Sequence, residues 1–187
     1  SGTSVASQTV DGYDPVRRYT EISGLVLSPT QVSPTTGNPI MYIVNDGHEE
    51  DTTNILGRVG VYDSGTGERL LTLLVETKKD MDAYDWEDLA IGVCSPRDPS
   101  TCLYIADVGD NVARNTKGRR TDRSEHYPYR LLKIREPQIE NLPSGLHRNE
   151  NTATVQLLDF LEFDYFHGSS PKNYADVEAM FIDHVGW

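Results

Sequence analysis

Long apolar runs are missing from this sequence, and so are most of the residues that mark a reactive centre. The longest apolar stretch, Leu70 to Val75, is interrupted by Thr72, far short of the roughly 18 residues that a membrane helix requires. A membrane-spanning helix is therefore excluded and a soluble protein expected. Basic residues are scarce as well: 17 Lys plus Arg stand against 29 Asp plus Glu, for a net charge of −12. Such a surface repels a phosphate backbone, which excludes nucleic acid and anionic membranes as partners of the surface as a whole. There is no G-x-S-x-G elbow, no P-loop, no dinucleotide fingerprint, no cysteine beside a histidine and no Asn-X-Ser/Thr sequon. The opening stretch SGTSVASQTVDGYDP has neither the basic start nor the apolar core of a signal peptide. Either a signal has been removed or the numbering begins inside a longer precursor.

Only two cysteines occur, Cys94 and Cys102, separated by the turn-forming segment SPRDPST. If strands flank that loop, the pair sits at the base of a hairpin that a disulfide would close, which implies an extracellular or secretory-lumen location. Two free thiols in a reducing compartment are the alternative.

What the 187 residues do contain is strand periodicity, with 37% hydrophobic residues. Short blocks rich in Val, Ile, Leu and Tyr alternate with Gly, Pro, Asn and Asp clusters. Strands are expected at Ile22–Leu27, Ile40–Asn45, Arg58–Asp63, Leu70–Glu76, Asp88–Cys94, Cys102–Asp107, Tyr129–Arg135, Ala153–Phe163 and Val177–Asp183. Only Phe160–Phe166 and the residues around Tyr84 could pass for helical turns, so the fold class is all-β.

The strands carry an internal repeat. Glu21-Ile22-Ser23-Gly24-Leu25, Asp85-Trp86-Glu87-Asp88-Leu89 and Asp176-Val177-Glu178-Ala179-Met180 each open a strand. Met41-Tyr42-Ile43-Val44-Asn45-Asp46-Gly47 follows the first, and Leu103-Tyr104-Ile105-Ala106-Asp107-Val108-Gly109-Asp110-Asn111 follows the second. Two further strands complete each unit, and four antiparallel strands in meander order form a propeller blade. The expected organisation is an N-terminal segment 1–20 that could add an outer closing strand, then blade one at 21–84 and blade two, with long inserted loops, at 85–175. The first strand of a third blade occupies 176–187. Two blades cannot close a ring, so a partial propeller is expected, closing against further chain or another copy.

In this order the motifs resemble those of a set of extracellular β-propeller proteins whose signatures read EISGL, NDSG, DWEDLA, GDIGDN and DAEAL. The resemblance spans Glu21 to Asp183 and implies about six blades and no settled activity. His48, after Asn-Asp-Gly, and the long segment after Asn111 depart from the pattern. A more distant similarity is to regucalcin- and paraoxonase-like propellers.

In a propeller the innermost strands begin at the mouth of the central channel. That placement would converge Glu21, Asp85, Glu87, Asp88, Asp176 and Glu178 on one end, with Asn45, Asp46, Asp107, Asp110 and Asn111 nearby. Three readings remain open: capping of turns and strand starts, including backbone N–H bonds from a neighbouring blade; Ca²⁺ binding, because that ion takes six to eight oxygen ligands; and catalysis. As a Ca-dependent lactonase or phosphoesterase the chain would use Glu21, Asn45, Asp107 and Asp176 as ligands, with His48 or Glu87 as base. As a secreted binding or structural module it would use calcium for stability alone. Trp86 is expected to pack between blades. Basic residues cluster between Asn111 and Arg135, where Arg114, Lys117, Arg119, Arg120, Arg123, Arg130, Lys133 and Arg135 suggest either an arm that docks on an acidic protein partner or another copy, or equally a solvated loop.

Overall fold

The computed structural model describes residues 22–45, 57–77, 86–109, 129–141, 145–147, 150–163 and 179–182. These residues form an all-β structure of nine strands: β1 (Ile22–Val32), β2 (Pro39–Asn45), β3 (Gly57–Asp63), β4 (Arg69–Glu76), β5 (Trp86–Ser95), β6 (Asp98–Asp107), β7 (Tyr129–Arg135), β8 (Gly145–His147) and β9 (Glu150–Phe163). A 3-10 turn covers Ile139–Asn141.

Strands β1 to β4 form one antiparallel meander and β5, β6, β7 and β9 a second. Each arises from alternation. In the first, Tyr42, Val44, Val59, Val61, Leu71 and Leu73 share one face. In the second, Leu89, Leu103, Ile105, Leu132 and Ile134 do. The two faces meet in one core, so the meanders lie against each other like pages. At the shared edge the approach is close. A Cβ on Gly24 of β1 would come 2.5 Å from the Leu89 nitrogen and 2.7 Å from the Asp88 carbonyl carbon of β5. Trp86 is buried in the same core with its indole directly on Gly57, which leaves no room for a side chain there.

The two meanders are the same structure twice. Leu25↔Ile43, Val26↔Tyr42 and Leu27↔Met41 in the first correspond to Leu89↔Ile105, Ala90↔Tyr104 and Ile91↔Leu103 in the second. Both hairpins also shift register one residue into the motif, between Ile22 and Gly24 and between Trp86 and Asp88. A bulge turns the chain locally, and here it swings Ser23 and Glu87 out of the ladder at equivalent positions.

Three expectations change. The segment 138–152, read as loop, carries the 3-10 turn, β8 and the start of β9. Phe160–Phe163 is strand, as expected within Ala153–Phe163, and pairs with β7. Strand β9 is long enough to serve both meanders: its first half pairs parallel with β4 and its second half antiparallel with β7, joining them into one sheet path. Residues 179–182, inside the expected strand 177–183, make no ladder; Met180 and Ile182 instead pack on the outer face of the second meander, against Ala90, Cys94, Cys102 and Tyr104.

Candidate functional site

Strand polarity decides what gathers where. Strands β1, β3, β5 and β7 begin, and β2, β4, β6 and β9 end, at one end of the paired meanders. The segments 46–56, 78–85, 110–128 and 164–178 attach there, whereas short turns such as 33–38 and 96–97 close the opposite end. The repeated acidic motifs therefore share one end.

At that end the motif residues knit the units together. The Ser23 hydroxyl donates to the Trp86 carbonyl at 2.7 Å, linking β1 to β5. One step on, Asp88 accepts the Leu89 N–H at 2.7 Å on Oδ1 and the Met180 N–H on Oδ2, linking β5 to the third motif. Carboxylate acceptance of backbone N–H groups is a capping role. Glu87 is buried in the β5 bulge. Asp107 is fully buried, opposite Trp86 on one side and Arg130 on the other, and Arg130 in turn pairs with Glu162 at 3.0 Å. Asn45 is half-buried opposite Ile22. This end thus carries acidic side chains and, among the described residues, one buried guanidinium; the stacked Tyr129 and Phe163 rings, 6.1 Å apart, lie at the same end of β7 and β9.

Of the expected metal ligands, Asn45, Glu87 and Asp107 are described and lie at this common end. Glu21, Asp46, Asp85, Asp110, Asp176 and Glu178 fall outside the described residues, as do His48 and the basic set Arg114, Lys117, Arg119, Arg120 and Arg123. Among the described residues, no group of three or more His, Cys, Asp or Glu side chains is arranged to hold a metal ion.

Of the basic residues between Asn111 and Arg135, three lie in the expected strand Tyr129–Arg135. Arg130, Lys133 and Arg135 belong to β7, where each meets an acid: Glu162 at 3.0 Å, Asp159 at 3.8 Å and Asp98 at 2.8 Å. Lys133 also donates to the Cys94 carbonyl at 3.3 Å and lies 5.8 Å from the Tyr104 ring centroid. Alternation along the strand, not a charge run, explains these three positions.

Cys94 and Cys102 form a disulfide with Cα atoms 4.9 Å apart. It lies near the tip of the β5–β6 hairpin, not its base, because the strands extend past it to Ser95 and Asp98. Both cysteines are buried beneath Met180 and Ile182. Among the described residues, no helix is long and apolar enough to cross a membrane.

Two polar centres at the opposite end escaped sequence reasoning. Asp63 accepts from Asn38 Nδ2 at 2.9 Å, from the Gly65 and Thr66 N–H groups at 2.9 and 3.0 Å, and from the Thr36 hydroxyl. The Thr36 bond above all, with the others, holds its carboxyl well below the usual range. Glu136, just past β7, is 5% exposed and accepts from the hydroxyls of Ser28, Thr30 (2.8 Å) and Tyr42 (3.2 Å), 94 to 108 positions away. Burial, followed by the Glu136 charge, pushes the Tyr42 phenol far above its usual value. A Ser-x-Thr pair in a strand was the only local sign of this centre.

No protein-family model matches the sequence, and neither a curated protein nor a solved structure matches it.

Proposed function

We propose that this chain is two blades and the innermost strand of a third from a secreted β-propeller that acts as a binding or structural module. One observation carries the reading. Leu89 and Ile91 face backwards onto the first meander, and Met180 and Ile182, at the equivalent motif positions, face backwards onto the second. Leu25 and Leu27 hold those positions in the first unit and are 52% and 50% exposed. Phe181, equivalent to Val26 and Ala90 on the forward-facing side, is 88% exposed. Each unit thus offers a backward and a forward apolar face; on the first unit's backward face Ile43, Tyr62 and Leu74 are buried while the edge-strand residues Leu25 and Leu27 are exposed, and at the other end Phe181 is exposed. Contiguous exposed apolar surface marks an interface, and a ring of further blades supplies the matching faces at both ends.

The module reading rests on where the connections attach. The segments 46–56, 78–85, 110–128 and 164–178 all attach at one end of the paired meanders, and connections between strands are where recognition is concentrated. Asp88, whose carboxylate accepts the Leu89 and Met180 N–H groups, holds strands in place. Calcium belongs to this reading as a stabilising ion of the acidic end. Asn45, Glu87 and Asp107 offer oxygen donors of the type it takes, but do not make a site without others. The buried disulfide supports an oxidising, extracellular location.

Replacing Leu25 and Leu27 with Asp in the intact protein tests the proposal. If another blade covers this face, two buried charges will lower the melting temperature by more than about 10 °C. A free surface would leave it nearly unchanged. Chelator should lower the melting temperature without any lactone or phosphoester turnover; chelator-sensitive turnover would replace the module with a hydrolase.

A further inference from the structure

The end opposite the acidic motifs carries a second feature, independent of the propeller reading. A cleft of about 930 Å³ opens between the meanders, bounded by Thr30 and Gln31 of β1, Pro99–Thr101 of β6, Arg135–Gln138 and Val155–Leu158 of β9. That volume is in the range of small-molecule sites, which combine apolar walls with few polar groups. Here Pro99, Pro137, Val155, Leu157 and Leu158 supply the walls.

The polar groups are unequal. Arg135 is already engaged, with Nη2 on Asp98 at 2.8 Å and Nη1 on the Ser100 hydroxyl. Glu136 is different, because its three side-chain partners are the neutral hydroxyls of Ser28, Thr30 and Tyr42, and no cation pairs with it among the described residues. A carboxylate has about four acceptor positions, and three hydroxyl donors leave one of them open. A buried charge without a counter-charge is costly. Hydroxyls lessen that cost, and a cation would remove it.

We propose that this cleft binds an alkylammonium group, its nitrogen on the Glu136 carboxylate and its alkyl stem along Val155, Leu157, Leu158 and Pro137. The Glu136 backbone is pinned by its N–H to the Thr101 carbonyl at 2.9 Å, and the hydroxyls fix the carboxylate, so the acceptor is preorganised. The same chemistry is offered by a free aliphatic amine and by a lysine side chain of another protein.

Calorimetric titration with hexylammonium, hexanol and Nα-acetyl-lysine methylamide distinguishes the cases. Hexylammonium should bind about tenfold or more tightly than hexanol, since a charge-assisted bond separates them. Glu136→Gln should abolish that preference. Leu158→Trp, which leaves Glu136 intact and fills the cleft, should weaken hexylammonium binding. Binding of the lysine derivative as well would extend the ligand to protein lysines; its failure beside hexylammonium binding would assign a free amine. Equal affinity for hexanol and hexylammonium, or no binding of either by the wild-type protein, overturns the proposal whatever the variants do.

Discussion

Replacing Gly24 with alanine tests the contact on which the paired meanders depend. The new Cβ would sit 2.5 Å from the Leu89 nitrogen and 2.7 and 2.8 Å from the Asp88 carbonyl and α carbons. These are backbone atoms, so no side-chain rotation relieves the overlap. Ordinary non-bonded contact lies near 3.5 Å, and β1 and β5 must therefore separate by about 1 Å. Overpacking of this kind costs about 1–3 kcal/mol. The same displacement stretches the 2.7 Å bond from Ser23 to the Trp86 carbonyl, worth about 1 kcal/mol more. The expected loss is about 3 kcal/mol, or a melting temperature about 6–12 °C lower for a domain of this size. Gly37→Ala is the matched control. It has a φ of +75° and no atom within 4 Å of the added carbon, so its cost is confined to the local left-handed conformation, about 1–2 kcal/mol. Thermal unfolding followed by circular dichroism reads both. A Gly24→Ala shift no larger than that of Gly37→Ala would refute the close approach of β1 and β5.

Four other outcomes are expected. Removing the disulfide by Cys94→Ser with Cys102→Ser frees a small loop in the unfolded chain, worth about 2–3 kcal/mol, and should lower the melting temperature by about 5–10 °C; no change would deny the bridge a stabilising role. Asp98 is held down to about 2 by the Arg135 guanidinium first and then the Ser100 hydroxyl. A depressed carboxyl stabilises the fold above its unfolded value, about 3.9, and loses that contribution as pH falls towards 2. Wild-type stability should therefore drop more steeply between pH 4 and 2 than that of Asp98→Asn, and parallel curves would contradict the pairing. Tyr42→Phe removes one donor to a buried carboxylate and should cost about 2 kcal/mol in urea unfolding. Because the Tyr42 phenol is raised, folding stability tied to it persists below pH 10 and declines above. Asp88→Ala should speed amide exchange at Met180, and unchanged exchange would mean that the carboxylate does not hold the third motif.

Much of this was legible in the sequence because repetition constrains it. The eight strands of the two meanders follow from alternation, and the matching pentapeptides carried the same register and the same bulge into both hairpins. Trp86 was readable as packing, although its partner Gly57 was not. The double use of β9 was hidden, since nothing in Glu150–Phe163 distinguishes a strand with one neighbour sheet from a strand with two. Tyr129–Arg135 was legible as a strand, but the acids its basic residues meet were not; folding sends Arg130 one way and Lys133 the other, each to its own acid. Glu136 was invisible for a different reason. Its hydroxyl partners come from β1 and β2 across about a hundred residues of chain, and no local spacing encodes such a meeting.

The central claim is that the first unit's backward face receives another blade. Hydroxyl-radical footprinting of the intact native protein, read residue by residue by mass spectrometry, measures this directly. Leu25 and Leu27 should oxidise far more slowly than the 57% exposed Val32 at the far end of the same strand. Oxidation of all three at rates that follow their exposure in the isolated units would contradict it.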